Sequence, residues 1–201
     1  MPEAALNVFL KPNLKRVSVM SRSLNGEGMG FFANAAKKAA NAEIWAGDAN
    51  LVKEYKAMES MIKARAVEVG ASTTIVRAGT LKGGASGDAL SGGSGEAMFM
   101  NPKYYQMGQQ DVVNWRLLYD CGSLGVKLLK GDVLPGPGFM AAMTATTPEG
   151  GQGDSHRGAV AMSLVEALRS EAATDADFSV ETELSREFPS EEEWAKLFAN
   201  A

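Results

Sequence analysis

Thr73-Thr74-Ile75-Val76-Arg77 decides the fold class of this chain. The run is continuous rather than alternating, the pattern of a strand buried on both faces. It follows closely on Leu51 to Val69, where Tyr55, Met58, Ile62, Ala66 and Val69 recur at spacings of three and four and make one apolar stripe of a helix. Gly70 between them is a natural C-cap. A helix leading straight into a buried strand is the unit from which α/β parallel sheets are built.

Working outward, Lys15-Arg16-Val17-Ser18-Val19-Met20-Ser21 reads as a short buried strand, and the glycines of Leu24 to Gly30 as a loop. An Ala-rich helix is expected from Phe31 to Ala42. Ala78 to Pro102 is Gly/Ser-rich, and residues 83–105 are expected to form a long Gly/Ser-rich loop. Residues 110–119 read as helical, and Val126-Lys127-Leu128-Leu129 as a short strand. Pro135-Gly136-Pro137-Gly138 forbids regular structure. Arg157 to Arg169 is expected as an amphipathic helix with Val160, Leu164, Val165 and Leu168 inward, followed by a strand at Phe178-Ser179-Val180. Ser190-Glu191-Glu192-Glu193 opens the last helix with a capping box. The expected architecture is a partial, Rossmann-like parallel sheet with flanking helices and long Gly-rich loops.

Composition narrows the function. The 201 residues include 45% hydrophobic and 22% charged side chains, enough apolar material for a core. The net charge of −4 argues against a nucleic-acid partner, whose phosphates would call for an excess of Lys and Arg. Charge is uneven: residues 1–82 carry 12 basic and 7 acidic side chains, whereas residues 166–201 carry 3 and 10. The acidic end reads as a solvated face. A single cysteine, Cys121, excludes an intrachain disulfide, and a single histidine, His156, excludes a His-rich metal site, so no metal is expected. No stretch approaches the ~20 apolar residues of a membrane span, which leaves peripheral association open.

Three constellations could carry chemistry. Gly26-Glu27-Gly28-Met29-Gly30, with Asp48 beyond it, outlines a dinucleotide fingerprint, but its spacing is wrong and Phe31 stands where a third glycine belongs. An ordinary Gly-rich loop is the reading. Asp154-Ser155-His156 lacks a nucleophile elbow and is read as a helix cap, with Ser155 or Asp154 capping. Ser21, at a strand's C-terminal end, and Tyr55, on the long helix, form the more informative pair, because parallel sheets bind ligands at that edge. A tyrosine there can act as a general acid if a lysine lowers its pKa. One turn on stands Glu59, which would act the other way, and Lys56 points to a different face. Core packing is the plainer reading of Tyr55. The eleven methionines are spread along the chain and read as gap-filling core.

Taken in order, Lys15 to Ser21, Tyr55 on its helix and Thr73 to Leu81 with Arg77-Ala78-Gly79 resemble the later half of an atypical short-chain dehydrogenase/reductase, of the NmrA-like and plastid NAD(P)-binding kind. His156-Arg157-Gly158-Ala159-Val160-Ala161 occupies the place of that family's Arg-x-Asp-Val-Ala helix start. The resemblance covers about residues 12–181 and implies a truncated NAD(P)-binding fold over 1–181, with 182–201 an acidic segment bearing the capped helix. The family's G-x-x-G-x-x-G unit has no counterpart, and its Tyr-x-x-x-Lys is here Tyr55-Lys56-Ala57-Met58-Glu59.

The resemblance and its departures imply a pseudoenzyme: a non-catalytic, structural or assembly subunit bound to other proteins, around photosynthetic complexes in the plastid or chloroplast stroma, with a cytoplasmic setting as the alternative. No cofactor is expected to bind tightly. The rival expectation is an NAD(P)H-dependent reductase using NADP or NAD, with Ser21 and Tyr55 catalytic and Arg77, Ala78 and Gly79 at the cofactor. A dinucleotide-sensing regulator is the third.

Overall fold

A computed structural model of the protein describes residues 6–7, 9–23, 51–82, 124–133, 154–185 and 187–201. In chain order these form β1 (Arg16–Arg22), α1 (Leu51–Val69), β2 (Ser72–Ala78), β3 (Thr80–Lys82), β4 (Gly125–Lys130), β5 (Asp154–His156), α2 (Arg157–Arg169), a 3-10 turn (Glu171–Ala173), β6 (Asp177–Glu183) and α3 (Glu191–Asn200). The expected helices at 31–42 and 110–119, and the glycines of 26–30, lie outside the described residues.

The fold is mixed α/β. Four strands lie in the order β1-β2-β6-β4, and β3 pairs with β5 in a small parallel sheet. β1, β2 and β6 run parallel, as the helix-to-strand connection implied. β4 does not: it pairs antiparallel with β6, Leu128 opposite Val180, so the all-parallel expectation is corrected to a mixed sheet.

Helices cover both faces. Strand alternation puts Val17, Val19 and Ser21 on one face, where Ile62 and Met58 of α1 meet Leu6 and Leu10 in a small apolar cluster. The other face carries Val76, Phe178 and Val180 in a larger cluster with α2 and α3, Phe198 edge-on to Phe178 at 5.1 Å. Trp194 and Phe198 belong to this core, so the capped C-terminal helix is packed onto the sheet.

The long helix and its strand stand as expected. Ile62 and Ala66 of the α1 stripe are buried, and Gly70 ends the helix at φ +77°, where a side chain would be strained. β2 is buried continuously from Thr73 to Ala78. β1 corrects its reading: only Ser21 is buried and Met20 is half exposed, because β1 pairs with β2 alone among the described residues and forms an edge.

α2 is also corrected. Val160 is buried and Leu164 partly so, but Val165 and Leu168 are exposed. The buried side is Ala159, Ser163 and Ala167, spaced four apart, small side chains that let the helix lie close to the sheet. The cap differs too. Asp154 and Ser155 belong to β5, and His156 caps α2, its Nδ1 accepting from Gly158 N at 3.0 Å. At the other end, Ser190 and Glu193 form the expected capping box.

Candidate functional site

Two opposite charges occupy positions that the local patterns reserve for apolar side chains. Glu59 lies three residues before Ile62 and seven before Ala66, on the inward side of α1, and Arg77 sits within the buried run of β2. The parallel register sets Ser21 beside Arg77, and Arg77 beside Ser179, on the face that α1 covers. Packing α1 there drives Glu59 onto Ser21 and Arg77.

The result is a chain of contacts with alternating charge. The Ser21 hydroxyl donates to Glu59 Oε1 at 2.5 Å. Arg77 Nη2 donates to Glu59 Oε2 at 2.7 Å and to Asp177 Oδ2 at 3.0 Å, and Lys63 Nζ donates to Asp177 Oδ1 at 2.9 Å. Ser21, Glu59 and Arg77 are 3%, 7% and 5% exposed, so the inner contacts are shielded from water, while Lys63 at the outer end is in solvent. Burial works to lower the pKa of the Arg77 guanidinium, yet hydrogen bonds to Glu59 and Asp177, with their charges, hold it above its ordinary value. Burial likewise works to raise the Asp177 carboxyl, and the bonds and charges of Lys63 and Arg77 hold it below the usual carboxylate value. A buried pair that has lost one member leaves an uncompensated charge, so each partner depends on the others.

The expected site residues divide. Ser21 is brought to Glu59, and no hydrogen bond joins it to Tyr55 among the described residues. Tyr55 is half-buried, one turn nearer the start of α1. Arg22 is its electrostatic neighbour: burial lowers the Arg22 pKa from its ordinary value and Tyr55 opposes that shift. Arg77 turns its guanidinium to Glu59 and Asp177. The Ala78 carbonyl accepts from Ser23 N at 2.8 Å, within the β1–β2 pairing. Gly79 N donates to Ser155 Oγ at 2.8 Å, and that hydroxyl donates to Val180 O, so Ser155 ties the β3–β5 sheet to the carboxyl end of β2 and the middle of β6.

Glu59, Asp177 and Lys63 were not singled out as a charge network by the sequence patterns. The signal was there in the first case: a carboxylate on an apolar stripe and a guanidinium in a buried strand each need a partner, and they are the most economical partners for one another. Asp177 gave no such signal, because its role depends on β6 pairing with β2 a hundred residues away.

Among the described residues there is no group of three or more His, Cys, Asp or Glu side chains able to hold a metal ion, and no helix long and apolar enough to cross a membrane. Comparison with family models, with curated proteins and with solved structures finds no match to this chain.

Proposed function

We propose that this chain is a non-catalytic protein of NAD(P)-binding-like fold that serves as a structural or assembly component of a larger protein complex. One observation carries the reading. Glu59, where the resemblance to short-chain dehydrogenase/reductases places a lysine, is buried with one carboxylate oxygen on Ser21 and the other on Arg77. Catalysis in such a site needs a hydroxyl free to meet substrate and a cation to stabilise a phenolate. Here the hydroxyl proton points at a carboxylate and the cation is replaced by an anion.

The groups present suit a dinucleotide poorly. The cation nearest the carboxyl edge on β2, Arg77, is already bonded to two carboxylates, and Gly79 N, a backbone donor at that edge, is taken by Ser155. Among the described residues β1 pairs on one side alone, which favours an assembly role: seven residues long and with Met20 half exposed, it lacks the shortness that natural proteins use to blunt an edge. A photosynthetic, plastid setting belongs to the same proposal and rests on the resemblance alone.

The test is isolation of the native protein under mild conditions, with sedimentation and an NADPH-oxidation assay on the same fraction. The proposal expects a particle well above the chain's own 21.2 kDa, and no oxidation attributable to Tyr55. A monomer whose NADPH oxidation disappears in Tyr55→Phe would establish the reductase instead.

A further inference from the structure

The sheet edge opposite β1 carries a groove. It runs between β4 and α3, encloses about 440 Å³, and has an apolar floor of Val126, Leu128, Phe188 and Leu197. Val126 and Leu128 are buried, whereas Phe188 and Leu197 are only partly covered and line the opening.

The rim is charged on one side of the balance. Among the described residues that line it, Glu183, Glu187 and Glu193 stand with one cation, Lys196. Glu193 is tied to Ser190 through the capping box, which holds its carboxyl below the usual value and keeps it anionic. Glu183 and Glu187 are exposed, and their carboxylates make no ion pair among the described residues. This rim belongs to the acidic stretch, 3 basic against 10 acidic side chains over residues 166–201. An apolar floor bordered by the carboxylates of Glu183, Glu187 and Glu193 matches an apolar side chain carried between cations, and it disfavours an acidic or anionic ligand.

We propose that the β4–α3 groove docks a basic amphipathic segment of a partner protein, with one or two large apolar side chains on the floor and flanking Lys or Arg side chains at Glu183 and Glu187. This names a partner class for the assembly role proposed above and rests on that reading.

Fluorescence anisotropy on the full chain tests it, with a labelled ten-residue peptide alternating Lys with Leu and Phe as the probe and a twin with Glu in place of Lys as control. In low salt, about 50 mM, the Lys peptide is expected to bind at least about tenfold more tightly than its twin, and to weaken as salt is raised. Glu183→Lys with Glu187→Lys, both at exposed positions that leave the core untouched, should weaken it by about tenfold or more. Leu197→Ser, at a partly covered floor position, should weaken it with no change in salt dependence. Equal binding of the two peptides, or undiminished binding to the rim double variant, overturns the proposal. So does self-association of the chain that the rim variant abolishes, which assigns the groove to a second copy. A native complex that still forms with the rim variant overturns the groove while leaving the assembly role standing; a native monomer overturns the assembly role.

Discussion

The hydroxyl of Ser21 and the carboxylate of Glu59, 38 residues apart in sequence, meet at 2.5 Å in a buried hydrogen bond. A strand end and a helix are thereby joined at the edge where parallel sheets bind ligands. The same carboxylate holds Arg77 at 2.7 Å, so one buried anion ties the ends of β1 and β2 to α1.

Glu59→Ala should therefore be a stability mutation. It leaves Arg77 buried with Asp177 as its one carboxylate partner among the described residues, and removing one member of a buried pair costs about 3–5 kcal/mol. Ser21→Ala deprives the carboxylate of one donor and should cost less, about 1–3 kcal/mol. Urea unfolding of both variants checks the order.

Glu59→Lys places a lysine where the resemblance to short-chain dehydrogenase/reductases would have one. It should not restore activity. The ammonium would lie against the Arg77 guanidinium in a site shielded from water, and the expected outcome is a chain that fails to fold cooperatively, read by circular dichroism.

The pH dependence follows from Asp177. Its carboxyl titrates below the ordinary value in the folded state, so its contribution is complete above the unfolded pKa of about 4. That contribution is lost as pH falls through the lower, folded value, because the unfolded chain takes up the proton first. Stability should drop on acidification from about pH 4, and Asp177→Asn should flatten that part of the profile. Thermal melts between neutral pH and pH 2.5 or so make the comparison.

Much of this fold is legible because local patterns and global packing agree at α1, β2 and α3. The apolar stripe of Ile62 and Ala66, the buried run from Thr73 and the Ser190 capping box each report on their own neighbourhood. What local pattern misses is set by distant partners. The direction of β4 depends on β6, some fifty residues later, and the half-exposure of β1 depends on its lying at an edge. The inward face of α2 was misread because hydrophobicity favours Val165 and Leu168, whereas close approach to a sheet selects Ala159, Ser163 and Ala167. Within the site, Ser21 was legible from its place at a strand end. Its partner Glu59 was taken only as a disturbance to Tyr55, because its contacts require β1 and β2 to stand side by side.

Gly125→Ala tests the antiparallel edge. A Cβ at this position would come within 2.5 Å of the Glu183 carbonyl oxygen, and it is backbone that would have to move. Overpacking of this kind costs about 1–3 kcal/mol, and the first pairs of β4 with β6 should open. Hydrogen exchange at Leu124, whose N–H bonds to the Ser185 carbonyl, should rise in the variant while exchange in β2 stays slow.

The central claim is that Glu59 and Arg77 serve the fold, and that no dinucleotide chemistry runs at the end of β1. Isothermal titration calorimetry of the full chain with NADPH addresses it most directly. With Ser21, Glu59 and Arg77 bonded to one another and Gly79 N held by Ser155, no saturable heat is expected up to millimolar nucleotide. A saturable isotherm with a micromolar dissociation constant, abolished by Tyr55→Phe or by loss of Arg77, would contradict it.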